Sequence, residues 1–452
     1  MMEKVFVKDR NFYRRVAVMA FPIIAQNVIT IGVNMMDTVM LGKFGEIQLS
    51  ASSLANDFIN IFQILCMGMG CGAAVLTAQY WGSGNVDSLK KTAATMLRFE
   101  TVISALFTLA VLFFAPAIMH IYTADADVIA KGVIYFRWSI PTFFLMGISL
   151  TLTQILRSIR DVRIPLYTSI VSFFVNIFFN WIFIFGKLGM PRMEIAGAAL
   201  GTVIARVVEA AVIGGYFFLY EKKVGFRFRD IFRPCGEVVR KYFEYSLPVM
   251  ASDSLLAFGN SAVAIIIGHM GTAFVAANAI IAMVMRFCTV FTSGMGQASH
   301  TVIGNRLGEG KREQAYHEAV TLLALSVVLG LITAVVMRLV GPAILGFYEI
   351  SEETYEIGIG MLNAVSLMVV FQAMQSTITK GVLRGGGDTK FVMFIDAGFL
   401  WLVSVPLGYL TGLVLHLDAF TVMLSLRIDW VIKSLIGAKR ILSKKWMKQI
   451  DL

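Results

Sequence analysis

Charge, cysteine and proline are all scarce in this 452-residue chain: charged residues make up 15%, and there are only four cysteines and nine prolines. With 57% apolar residues beside so little charge, neither a disordered chain nor a water-soluble globule fits. Cys66, Cys71, Cys235 and Cys288 show no CxxC spacing, and three of them lie in apolar runs, so no disulfide framework and no metal site is expected. His120, His269, His300, His317 and His416 form no ligand spacing either. The chain has no Walker loop, nucleophile elbow or HExxH, which removes ATP hydrolysis and the common hydrolytic chemistries and leaves no cofactor to expect. A membrane-embedded enzyme would need such a cluster, or paired carboxylates on facing helices, and the sequence shows neither pattern. The net charge of +10 is scattered in short clusters between apolar runs, which is a membrane pattern and excludes a nucleic-acid partner.

What the chain has in abundance is long apolar segments. A helix needs about 20 apolar residues to cross a bilayer, and twelve such spans are expected, near 16–41, 54–80, 93–119, 130–156, 164–185, 194–219, 242–268, 275–301, 315–345, 355–379, 391–414 and 417–437. The last is interrupted by Arg427, Asp429 and Lys433, so an interfacial helix is the alternative there. The fold class is an all-α membrane protein. Met1 to Arg15 is polar and basic without a small-residue cleavage site, so the first span is expected to remain as an anchor. About 29 of the 39 Lys and Arg residues fall in the termini and even-numbered connections, including Lys4 to Arg15 and Lys222 to Lys241, so both termini are expected in the cytoplasm.

The chain also repeats itself. Shifted by about 226 positions, Pro22 falls on Pro248, Gly42 on Gly268, Gly45 on Gly271 and Gly68-Met69-Gly70 on Gly294-Met295-Gly296, and Gly82 and Gly84 fall on Gly308 and Gly310. Six of the eight glycines between Pro22 and Gly84 find a glycine. Arg157-Ser-Ile-Arg-Asp161 likewise matches Arg384-Gly-Gly-Gly-Asp388. Six helices per repeat give two parallel lobes, 1–220 and 242–452, joined by a polar cytoplasmic linker at 221–241.

Ala20-Phe-Pro22, Asp37 before Leu41-Gly42, Gln79-Tyr-Trp-Gly82-Ser-Gly84 and Gly304-Asn-Arg-Leu-Gly308-Glu-Gly310 together resemble the multidrug and toxic compound extrusion (MATE) family. Asn176-Ile-Phe-Phe-Asn180, Gly197-Ala-Ala-Leu-Gly-Thr202 and Leu383-Arg384-Gly385-Gly386-Gly387-Asp388 extend the likeness over the whole chain. The resemblance implies an exporter of cationic or amphipathic compounds, driven by an H⁺ or Na⁺ gradient and acting as a monomer in the lipid bilayer.

Asp37 is the leading candidate for the coupling ion, because a carboxylate in an apolar helix needs a cavity, a cation or a proton. Its repeat partner is Val263, so a structural role common to both lobes does not account for it. In the family branch that keeps this acid, its companions map onto Asn176, Asn180 and Thr202, with Asn180 standing where that branch has a second Asp. Asn176 and Asn180 share a helix face by their i,i+4 spacing. One carboxylate leans the reading towards H⁺, with Na⁺ on amide and hydroxyl oxygens the alternative. Asp253 is the acid candidate of the second lobe; its family counterpart falls at Leu256, and a second acid there falls at Gln372. Gln26, Asn34, Met35, Arg286, Gln297 and Gln372 are candidates for the substrate cavity, and Pro22 for a hinge. Arg286 is a possible partner of Asp253, Arg206 pairs with Glu209, and Asp396 reads as interfacial. The rival function is a lipid-linked saccharide flippase of similar repeats, which would need a wide, positively charged cavity.

Overall fold

A computed structural model describes residues 6–348 and 350–450, so Lys4 of the amino-terminal basic cluster lies outside the described residues. The architecture is helical throughout them: α1 Arg10–Gly42, α2 Glu46–Ser83, α3 Val86–Tyr122, α4 Ala126–Ser158, α5 Arg163–Phe185, α6 Ile195–Tyr220, α7 Gly236–His269 and α8 Thr272–Gly308. They continue as α9 Arg312–Phe347, α10 Glu352–Leu383, α11 Thr389–Val414, α12 Ala419–Leu426 and α13 Ile428–Leu442. The first eleven are long and apolar enough to cross a membrane. At 33 residues α1 spans about 50 Å, more than the roughly 30 Å of hydrocarbon, so its ends reach the interfaces.

Local chemistry sets the boundaries. Asn85 and Asp125 accept hydrogen bonds from the first free amides of α3 and α4, and Ser351 does the same for α10. Gly186 ends α5 in the left-handed conformation. The repeat appears in the backbone as well. Gly45 and Gly271 have φ of +107° and +115°, and Gly84 and Gly310 have +76° and +73°, so four of the paired glycines hold turns that other residues resist.

The expected span at 417–437 is two helices, α12 and α13, broken at Arg427. The charges responsible meet partners inside the protein, although Arg427 Nε has none among the described residues. Arg427 donates to Asn260 Oδ1 at 3.2 Å and covers the ring of Trp430, while Lys433 Nζ and Asp429 Oδ2 form a buried ion pair at 2.7 Å. Asp429 also accepts from Ser404 Oγ at 2.9 Å.

The protein divides into two compact units. One comprises Ala25–Thr77 and Asn85–Ser246; the other comprises Met1–Ile24, Ala78–Gly84 and Leu247–Leu452. They are called here the amino-terminal and carboxy-terminal units. The first has a core around Phe62, Phe136, Phe143 and Ala199, and the second around Ile281, Met337, Leu362 and Val365. The polar connection after α6 is ordered in the first unit. Glu221 accepts from the amides of Val224 and Gly225, and Arg98 of α3 donates to the carbonyls of Ile231 and Arg233.

Within the second unit the duplicated glycines make a reciprocal contact. A Cβ on Gly82 would run into the carbonyl oxygen of Asn305, and a Cβ on Gly308 into that of Gln79. Gln79 and Asn305 stand in the same repeat relation as Gly82 and Gly308. The ends of α2 and α8 therefore cross backbone to backbone, in a contact that only glycine at both places permits.

Candidate functional site

Asp37 sits in the last turns of α1, half-buried, against α5 and α6. Asn180 Nδ2 donates to Asp37 Oδ1 at 2.6 Å and also reaches Asn176 Oδ1 at 3.2 Å. Asn176 Nδ2 donates onward to Thr202 Oγ1 at 3.4 Å. The four residues singled out in the sequence thus form one hydrogen-bonded row from α1 through α5 to α6. Both asparagines are buried, as the i,i+4 face of α5 packed against the small residues of α6 requires. Gly201 makes this possible, since a Cβ there would overlap Asn180 Oδ1 and lie 3.0 Å from its backbone nitrogen. That Oδ1 atom is buried with no hydrogen-bond partner among the described residues. The nearest ionic pair, Arg206 Nη1 to Glu209 Oε2 at 2.6 Å on α6, is the expected i,i+3 pair.

The remaining candidates do not join this row. Asn34 and Met35 are exposed on α1 one turn earlier. Gln26 accepts a hydrogen bond from Arg157 Nη2, an arginine expected in a cytoplasmic turn that is instead buried at the end of α4. Pro22 is buried within an α1 that continues on both sides, where the Val18 carbonyl lacks its usual helical donor. In the other unit, Gln372 Oε1 accepts from Thr292 Oγ1 at 3.2 Å, and Gln297 Nε2 reaches Ser293 Oγ at 3.5 Å. Arg286 is exposed on α8 without an ionic or hydrogen-bond partner among the described residues. It does not answer Asp253, because that partnership belongs to Arg384.

Arg384 Nη2 and Nη1 hold the two oxygens of Asp253 at 2.6 and 3.2 Å, a bidentate pair joining the end of α10 to α7. Sequence reasoning placed Arg384 in a turn motif and missed this pair. Part of the signal is the repeat: Arg157 and Arg384 are equivalent, and Gln26, which Arg157 meets, is the neighbour of Asn27, the position that aligns with Asp253. Asp396, expected at the interface, is fully buried; Gln375 Nε2 donates to its Oδ1 at 3.1 Å. The reason is that α11 turns this face onto α10 and α13. Asp388 is also buried, held by Arg440 at 2.8 Å and Lys448 at 2.7 Å.

The family model MatE matches this chain twice, over residues 22–182 and 248–410, once in each repeat. The chain belongs to the MATE family. It is a membrane transporter and not an enzyme. Among MATE relatives, the probable multidrug resistance protein NorM of Thermotoga maritima is 23% identical over 96% of this chain and 93% of its own length. The multidrug resistance protein MdtK of Pectobacterium atrosepticum is 25% identical over 88% of each. Among solved structures, a MOP superfamily transporter from Pyrococcus furiosus superposes with a TM-score of 0.86 at 19% identity, covering 97% of this chain and 99% of that one. The helical plan of this MATE protein is therefore that of a known transporter fold.

Proposed function

We propose that this MATE protein exports small cationic or amphipathic compounds by alternating access. It works as a monomer in the inner membrane with both termini cytoplasmic, and exchanges its substrate for a coupling ion taken up at Asp37. The observation that carries the reading is the row Asp37–Asn180–Asn176–Thr202, a lone carboxylate in an apolar helix with buried amides arranged behind it. The names of the relatives, multidrug resistance proteins, support the substrate class. The two lobes, 1–220 and 242–452 with the connection at 221–241, supply the alternation, and Pro22, by removing one helical hydrogen bond, permits α1 to bend between states.

The single carboxylate favours H⁺ over Na⁺. Asp37 is the one acid of the row, and its neighbours Asn180, Asn176 and Thr202 are neutral, so the row offers one negative charge and one group that can take up a proton. Na⁺ held by the amide and hydroxyl oxygens is the alternative. One charge moved across 100 mV supplies about 2.3 kcal/mol, enough to drive a modest concentration gradient.

The flippase reading draws no support here. A pyrophosphate cavity needs several free deep cations, whereas Arg206 is paired with Glu209 and Arg286 lies exposed on α8. Everted vesicles given a proton gradient and a sodium gradient separately test the coupling ion. A proton gradient alone is expected to drive uptake of a cationic dye; uptake driven by sodium alone would overturn the H⁺ assignment.

A further inference from the structure

The connection between α6 and α7 lies outside the duplicated pattern, since the family model stops at 182 and resumes at 248. In the sequence it reads as a polar linker, but its structure is amphipathic. Val224 and Phe226 are buried, the Phe226 ring centroid lies 5.4 Å from that of Phe217 of α6, and a short 3-10 helix follows at Phe228–Phe232. Helix α3 of the same unit holds the backbone in place: Lys90 Nζ donates to the Gly225 carbonyl at 2.8 Å, and Arg98 donates to the carbonyls of Ile231 and Arg233.

Charge is sorted across this segment. Its acids turn inward. Glu221, buried, accepts from the amides of Lys223, Val224 and Gly225, and Asp230, also buried, lies 2.7 Å from Arg233 and 3.7 Å from Lys90. Arg233 also reaches Asp87 of α3 at 3.0 Å. The other cations turn outward: Lys222, Arg227 and Arg229 are exposed and form no ion pair among the described residues, and the exposed Lys223 stands 3.7 Å from Asp161. The outer surface of the connection is therefore positive, although its sequence carries charges of both signs.

Large apolar groups are on the outside as well. Phe228 is 67% exposed and Phe232 75%, and their ring centroids lie 6.1 Å apart. The Phe228 ring lies 6.2 Å from that of Phe218, which brings the pair to the end of α6, where Leu219 and Tyr220 are exposed too. A connection facing only water gains nothing from four exposed apolar side chains beside three unpaired cations. Helix α6 is apolar enough to cross a membrane and ends at Tyr220, so the connection begins at the bilayer surface. There, aromatic rings meet the acyl boundary and cations meet lipid phosphates, and a segment that offers both groups side by side matches both layers.

We propose that residues 219–232 form an interfacial anchor that binds an anionic phospholipid of the adjoining leaflet. Phe228 and Phe232 enter the acyl boundary, and Lys222, Arg227 and Arg229 hold the headgroup phosphate. Neutral lipids satisfy the first requirement and not the second, because their phosphate is already balanced by a cation of the same headgroup. Since Lys90 and Arg98 fasten the segment to α3, the bound lipid fixes the depth of the amino-terminal unit in the membrane. The leaflet is the cytoplasmic one under the orientation proposed above; the binding itself depends neither on that orientation nor on the role of Asp37.

The test uses the purified full-length protein, with phosphatidylglycerol as the anionic probe, phosphatidylcholine as the neutral lipid and inorganic phosphate as the free anion. Bound lipid is counted by native mass spectrometry. The parent protein is expected to retain phosphatidylglycerol in preference to phosphatidylcholine, and the double variant Arg227→Gln/Arg229→Gln to bind phosphatidylglycerol at least about tenfold more weakly. Its melting temperature without lipid should match the parent's, because neither arginine forms an ion pair among the described residues. Added salt should weaken binding in the parent and change little in that variant. Phe228→Ser/Phe232→Ser is expected to weaken binding at low and high salt alike, which separates insertion from a purely electrostatic contact. Equal affinity of the parent for the two lipids, parental binding in the arginine variant, or displacement of the lipid by equimolar inorganic phosphate would overturn the proposal. So would parent dimers that the phenylalanine substitutions abolish, since the surface would then join two copies of the chain.

Discussion

Replacing Gly201 with Ala perturbs the Asp37 row without altering any polar group in it. The added methyl would overlap Asn180 Oδ1 and lie 3.0 Å from the Asn180 backbone nitrogen and 3.1 Å from Cγ. Asn180 is fully buried on α5 and has no open side to retreat into. Overpacking of this kind costs about 1–3 kcal/mol. If the side chain swings away, the bonds to Asp37 and Asn176 go with it, and a hydrogen bond to a charged group is worth about 1.5–3 kcal/mol. Either outcome disorganises the site by an amount equivalent to at least a tenfold change in an equilibrium. The assay pairs drug efflux from everted vesicles with the melting temperature of the purified protein, and Gly215→Ala serves as control because a Cβ there meets nothing within 4 Å on the same helix. Gly201→Ala is expected to lower efflux at least about tenfold with a small loss of thermal stability, and Gly215→Ala to change neither. Parental efflux in Gly201→Ala, or equal damage by the two substitutions, would refute the reasoning.

Two further outcomes follow from the repeat. Arg384→Ala leaves the half-buried Asp253 without its cation, at about 3–5 kcal/mol; thermal denaturation should show that loss, with partial recovery in Arg384→Lys, and parental stability in Arg384→Ala would contradict the pairing. Gly82→Val and Gly308→Val push side chains into the facing carbonyls of Asn305 and Gln79, so both should lose folded protein in membrane extracts to a similar degree; tolerance of either one would show that the backbones do not approach as closely as described.

The sequence announced the fold through features that the backbone demands. Gly45 and Gly84 recur at Gly271 and Gly310 because each holds a positive φ, and Gly82 recurs at Gly308 because each admits a carbonyl. Such requirements cannot drift, so the duplication survives where the apolar residues around it have changed. The Asp37 row was legible for a similar reason: an acid in an apolar helix stands out, and the i,i+4 asparagines can only share a face. The charges of the carboxy-terminal unit were harder to read. Arg384 and Asp253 are separated by 131 residues, and nothing local distinguishes a buried arginine at a helix end from a solvated one in a turn. Asp396 looked interfacial because its depth was judged by distance along its own helix, whereas its burial is set by α10 and α13. The break at Arg427 was visible as a cluster of charges, but their pairing with Asn260, Ser404 and one another depends on residues from α7 and α11.

The central claim is that Asp37 carries the coupling ion. Proteoliposomes containing the full-length protein and a pH-sensitive dye, challenged with a cationic substrate in the absence of sodium, test it most directly. The account predicts substrate-induced proton movement in the parent protein and none in Asp37→Asn, with the variant folded and still binding the substrate. Proton movement of parental size in Asp37→Asn would contradict it.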